Sequence, residues 1–159
     1  MPLLTHRNAP SLACKALALG LTLAWAGSAL AQSQTPTSLA GAKVIAVEEA
    51  RKLADDKKAT FIDTRNAMNF GKGHVPGARA VPYKGSSEDA ADFDHAKDQF
   101  DIGKLPTAKD LPVVFYSDGP TGWKSYKAAA QAVKAGYKNV HYMRDGWSAW
   151  QAKGLPVEN

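Results

Sequence analysis

The stretch Val113-Val114-Phe115-Tyr116, the turn Ser117-Asp118-Gly119-Pro120-Thr121-Gly122 and the helical run from Trp123 limit most strongly what this chain can become. Four apolar residues, two of them β-branched, closed by a Gly/Pro turn predict a short buried strand. Beyond the turn Trp123, Tyr126, Ala130 and Val133 fall at helical spacing on one face. Lys124, Lys127, Gln131 and Lys134 occupy another, and Gly136 ends the helix. In an open α/β sheet, ligands sit outside the carboxyl ends of strands, where the loop becomes a helix. The unpaired N–H groups and positive dipole of a helix start suit such a loop to an anion.

Other segments alternate in the same way. Lys43 to Val47 predicts a strand and Glu48 to Asp56 an amphipathic helix with Ala50, Leu53 and Ala54 on one side. Thr60 to Asp63 is the second strand, Ala67 to Gly71 one or two helical turns, and Ala78 to Val81 a third strand after the turn Gly73-His74-Val75-Pro76-Gly77. Phe93, Ala96 and Phe100 suggest a helix between Gly85 and Lys104. Asn139 to Met143 predicts the fifth strand, and Gly146 to Ala152 a last helix burying Trp147 or Trp150. The expected fold class is therefore α/β, three layers around a mostly parallel five-stranded sheet flanked by helices.

The first third is set apart by composition. Arg7 and Lys15 form a basic region, Ala16 to Gly27 is apolar, and Ala29-Leu30-Ala31 supplies the small residues of a cleavage site, which predicts a signal peptide over 1–31 cut before Gln32. The apolar core is shorter than the roughly 20 residues a membrane-spanning helix needs. Residues 32–42, rich in Ser, Thr and Gln, are expected to be a flexible leader, and 43–159 the domain. Cys14, the one cysteine, leaves with the signal, so the exported chain would carry no disulfide and no thiolate for catalysis or metal binding. The chain carries 20 basic and 15 acidic side chains; loss of Arg7 and Lys15 leaves a mild excess without like-charge runs, which argues against a nucleic-acid partner.

The order of motifs over residues 43–157 resembles a single-domain rhodanese, the sulfurtransferase-like family. Phe61-Ile62-Asp63-Thr64-Arg65 is similar to that family's Asp-x-Arg segment, and Gly73-His74-Val75-Pro76-Gly77-Ala78 to its Gly-His-Ile-Pro-Gly-Ala turn. Val113 to Ala130 stands where the active-site loop belongs, and Arg144-Asp145-Gly146-Trp147 to Trp150 with Gly154-Leu155-Pro156-Val157 resembles the closing motif. Active members carry a cysteine at the start of the loop, hold sulfane sulfur on it, and close the loop with Arg and Ser or Thr. Here Ser117 stands in the cysteine's place and Lys124-Ser125 in that of the closing pair, with six residues between Ser117 and Lys124, more than is usual in that family.

A serine hydroxyl needs an adjacent base to act as a nucleophile and cannot hold sulfane sulfur. Of the possible bases, His74 lies in a turn with a structural role, His95 and His141 read as solvated or element-end residues, and Asp118 would point away from its neighbour Ser117. Binding is the stronger expectation. Asp118, Gly119, Thr121, Gly122, Trp123, Lys124 and Ser125 would form an anion- or ligand-binding loop, with hydroxyls from Thr121 or Ser125 and a charge from Lys124. Asp63 would hydrogen-bond the backbone beneath the loop, with Arg65 free for the ligand and His74 and Arg144 in support. The expected role is a periplasmic accessory module for a small oxyanion, a sulfur compound or a protein partner, without cofactor or metal and away from the membrane. The alternative is a sulfurtransferase-family enzyme working without its own cysteine, by sulfur-compound handling or serine-based hydrolysis.

Overall fold

The computed structural model describes residues 33–159; the expected signal peptide, Cys14 and Gln32 lie outside the described residues. The elements are β1 (Ala42–Ile45), α1 (Val47–Asp55), β2 (Thr60–Asp63), α2 (Ala67–Gly71), β3 (Arg79–Ala80), β4 (Val113–Tyr116), α3 (Trp123–Lys134), β5 (Val140–Met143) and α4 (Gly146–Ala152). The strands form one five-stranded sheet in the order β1-β5-β4-β2-β3. Every pairing is parallel, a stricter arrangement than the mostly parallel sheet expected.

β4 is buried along its whole length, which is why it reads as a continuous apolar run. Successive side chains point to opposite faces. Val113 and Phe115 join Ile62, Val140 and Tyr142 beneath α3, with Tyr126, Ala129 and Ala132 as the helix's contribution. Val114 and Tyr116 join Ile45, Phe61 and Met143 beneath α1 and α4, where both Trp147 and Trp150 are buried. Residues Asp63 and Tyr116 lie level in the β2–β4 register, so both strands end at one edge of the sheet.

The helix expected between Gly85 and Lys104 does not form. That segment has two 3₁₀ turns, His95–Lys97 and Ile102–Lys104. Asp94 and Asp101 accept from the amides of Ala96 and Gly103, which offers the backbone an alternative to a helical ladder. Asp98 gathers the amides of Ser86 and Ser87 and the hydroxyls of Ser87 and Tyr83. Phe93 is still buried and Phe100 packs on the core, so the apolar residues found the sheet without helical geometry. Residues 33–35 of the expected leader are hydrogen-bonded to the loop after β4 and to the end of β5, contacts that belong to the site. Among the described residues no helix is long and apolar enough to cross a membrane.

Candidate functional site

The loop after β4 closes on itself at Ser117. Its Oγ lies 2.9 Å from the Gly122 carbonyl oxygen and 2.9 Å from Ser125 Oγ, which is 3.1 Å from the same carbonyl. With two hydroxyl protons for three contacts, one proton goes to the carbonyl and the other bridges the two oxygens. Ser117 and Ser125 are each 1% exposed. Ser125 was expected to offer its hydroxyl to a ligand; it is turned inward instead. Among the described residues the partners of Ser117 Oγ are the Gly122 carbonyl and Ser125 Oγ, neither of which is a general base.

The loop amides are partly consumed. Gly122 N donates to the Gly119 carbonyl at 2.7 Å and Trp123 N to the Thr121 carbonyl at 3.1 Å. The first half of the loop is held from α4, where Trp147 N donates to Ser117 O and Ser148 N to Asp118 O. Gly146 makes that approach possible. It has φ +58°, and a Cβ there would lie 2.5 Å from Ser117 O and 2.9 Å from Gly119 N.

The second half is held by residues 33–35. Thr35 N and Oγ1 both donate to the Pro120 carbonyl, at 2.8 and 2.9 Å. Tyr142 OH donates to Thr35 Oγ1 at 2.8 Å, and Trp123 Nε1 to the Ser33 carbonyl at 2.9 Å. Arg144, expected in support of the loop, spends its guanidinium here: Nε and Nη2 donate to Thr35 O, and Nη2 to Gln34 Oε1. Thr35 is consequently buried, and the stretch read as a leader is part of the site.

Asp63 and Arg65 form a buried pair at the end of β2, with side chains 0% and 3% exposed. Asp63 Oδ1 accepts from Arg65 N and Nε, and Oδ2 from Nε and Nη2. Asp63 therefore braces Arg65 and not the loop backbone, a correction to the expectation. Arg65 in turn donates Nη2 to Gly73 O and lies 4.7 Å from the Trp147 ring centroid. Burial opposes the Arg65 charge, but the hydrogen-bonded Asp63 carboxylate outweighs it and raises its pKa. Tyr116 is also pushed up, first by burial and then by the Asp63 charge. His74 stacks on Phe70 at 3.7 Å and shares a hydrogen bond between Nδ1 and Phe70 O. Its backbone pairs with Glu158, so it supports the chain's end; its neighbour Val75 is what reaches Tyr116, through a 3.2 Å bond.

Outside the clasp, a recess of about 280 Å³ is lined by Asp118, Thr121, Gly122, Trp123, Lys124 and Lys127, together with Tyr83 and the 85–89 segment. Lys124 thus faces open space beside the loop, as an anion ligand must. Lys127, on the polar helix face in the sequence pattern, is buried and donates to Ser87 O, Ser87 Oγ and Asp89 Oδ1, each at 3.1 Å. Its position one turn after Trp123 was the available signal; nothing comparable marks Thr35. A second recess, of about 250 Å³, is lined by Arg65, Asn69, Lys72, Trp147 and Gln151, with Asp118 lining both. Among the described residues no group of three or more His, Cys, Asp or Glu side chains is placed to hold a metal ion.

A parallel α/β domain with its polar loop at the carboxyl edge of the central strand defines the class. The family model for the rhodanese-like domain matches residues 46–153, and the chain belongs to that family. It is 31% identical over 116 residues to the Escherichia coli (strain K12) protein YibN, covering 72% of this chain and 71% of that one. It is 28% identical over 108 residues to a protein named sulfurtransferase from Allochromatium vinosum, covering 68% and 86%. The crystal structure of the Alr3790 protein from Anabaena sp. superposes with a TM-score of 0.55 at 20% identity, over 72% of this chain and 80% of that one, a likeness of fold.

Proposed function

We propose that this chain is a periplasmic accessory module of the rhodanese-like family, without thiol-dependent sulfur transfer, that binds a small oxyanion or a protein partner around residues 117–125. Sulfur transfer of the family's kind needs a nucleophile ionised near neutral pH that can form an S–S bond, and in this reading Ser117 takes that cysteine's place at the end of β4. The observation that carries the proposal is the Ser117 hydroxyl itself, buried and bonded to Gly122 O and Ser125 Oγ, neither of which is a general base. Lys124 and the start of α3, facing the 280 Å³ recess, support the anion.

Thiosulfate-to-cyanide sulfur transfer by the purified protein is expected to be undetectable, and turnover above contaminant level would overturn the proposal. Sulfate and sulfite titrated by calorimetry should bind at millimolar concentration or below, and Lys124→Ala should weaken them. Fractionation followed by N-terminal sequencing should place the protein in the periplasm, beginning at Gln32. The resemblance to a protein named sulfurtransferase favours a second reading, an enzyme that moves sulfur using a partner's thiol. Turnover that appears only when a small thiol is added would select it.

A further inference from the structure

We infer that residues 33–35 are a built-in latch, which holds the 117–125 loop in its closed state and sets how strongly the loop takes an oxyanion. This rests on the anion-binding proposal and adds its regulation. The two halves of the loop are held by different parts of the chain. Residues 117–119 are fixed by the start of α4, through Trp147 N, Ser148 N and the close packing of Gly146. Among the described residues, the hydrogen bonds to Pro120 from outside the loop come from Thr35, which donates to its carbonyl from both N and Oγ1. The latch is anchored in turn on fixed groups, the hydroxyl of Tyr142 and the guanidinium of Arg144 at the end of β5, and on Trp123 at the start of α3. It thus bridges the second half of the loop to the sheet and to the helix.

What the latch holds shut is a specific arrangement. The Gly122 carbonyl points at Ser117 Oγ and Ser125 Oγ, a carbonyl oxygen where an anion would have to sit. Trp123 N is bonded back to Thr121 O. Rotating the Gly122–Trp123 peptide unit removes that carbonyl and frees that amide together. Two hydroxyls and one N–H then face the same space, a donor set for one oxyanion, with Lys124 next in sequence. The rotation changes ψ of Gly122, which no side chain restricts, and φ of Trp123, which must leave its helical value, so the open state carries backbone strain that a bound anion has to offset. The rotation moves Pro120 to Trp123, the part Thr35 grips. An anion must therefore work against the latch, and its apparent affinity is reduced by the fraction of molecules in the open state.

Thr35→Val removes the hydroxyl that joins Tyr142 to Pro120, and Arg144→Gln removes the charged donor to Thr35 O. Thr35→Ser keeps the hydroxyl. Hydrogen exchange read by NMR should show faster exchange at Gly122 and Trp123 amides in Thr35→Val and Arg144→Gln, with wild-type rates in Thr35→Ser. Calorimetric titration with sulfate should show about fivefold or greater gain in affinity for the first two, the lower end of ordinary coupling between sites. Adding Ser125→Ala to Thr35→Val should abolish the gain. Unchanged exchange, or faster exchange with sulfate affinity equal to wild type, would overturn the latch and leave the anion site standing. No sulfate binding by wild type or any variant would remove the anion reading and the latch with it. Melting curves on each variant confirm that the comparison is between folded proteins.

Discussion

Replacing Asp63 by alanine tests the claim that one buried ion pair holds the carboxyl edge of the sheet together. Asp63 accepts four hydrogen bonds from Arg65, one from its amide and three from its guanidinium, and neither side chain has more than 3% of its surface in water. The substitution leaves a guanidinium buried between the Tyr116 and Trp147 rings, with the Gly73 carbonyl as its remaining protein acceptor. Stranding one member of a buried pair costs about 3–5 kcal/mol. The Trp147 ring contact is already present in the wild type and so does not reduce the difference. For a domain of this size each kcal/mol moves Tm by roughly 3–5 °C, so Asp63→Ala should melt about 10–20 °C lower. Arg65→Met should be comparably destabilised, because it strands the carboxylate. The double variant strands nothing and should recover at least about 2 kcal/mol relative to the sum of the singles. Urea unfolding of the four proteins measures the cycle. A cost below about 1 kcal/mol for Asp63→Ala, or strict additivity in the double variant, would refute the argument.

Gly122→Ala should cost about 1–3 kcal/mol by overpacking, because the new Cβ runs into Ser117 Oγ and lies 2.9 Å from Gly119 O; Ser117→Gly in the same chain should recover part of the loss, and denaturant midpoints decide it. Lys127→Met should cost about 1–3 kcal/mol and make residues 85–89 the first site of limited proteolysis, since the ammonium is the group that pins them to α3; an unchanged cleavage pattern would return Lys127 to a solvated role. Asp98 has a pKa well below the carboxylate range: burial works to raise it, but hydrogen bonds from Ser87, Tyr83 and Ser86 prevail. A lowered folded pKa gives stability that is present above the unfolded value near 4 and is lost as pH falls below it. Asp98→Asn should therefore melt lower than wild type at pH 7, with the gap narrowing from about pH 5 downward; a gap independent of pH would rule out the charge as its source.

How much of this was legible depends on whether a residue's role lies in its own segment. The run Val113 to Tyr116 declares a strand buried on both faces because each of its four side chains meets a core, two on each side. The Asp63-Thr64-Arg65 spacing announced a functional pair, but the pair's direction did not follow: Asp63 serves the arginine and not the loop. Phe93, Ala96 and Phe100 keep helical spacing in a segment where Asp94, Asp98 and Asp101 bind nearby backbone or hydroxyl groups, so local side-chain bonds defeated the periodicity. Lys127 could have been found from its helical offset to Trp123. Thr35 could not, because its partners Pro120, Tyr142 and Arg144 are more than eighty residues away and its own surroundings are polar and irregular.

Position 117 shows the same division at the centre of the site. The residue type there is enough to say which chemistry a lone serine cannot do. Whether anything binds in its place depends on which way the Gly122 peptide unit faces. In the closed loop its carbonyl occupies the two hydroxyls that an anion would need, and residues 33–35 hold the flanking Pro120 carbonyl and Trp123 indole. Glycine frees ψ on one side of that unit while Trp123 restricts φ on the other, so the residue types of the loop alone do not fix its orientation. The selection is made by tertiary contacts from Thr35, which is why a substitution outside the loop is expected to change the loop's affinity more informatively than one within it.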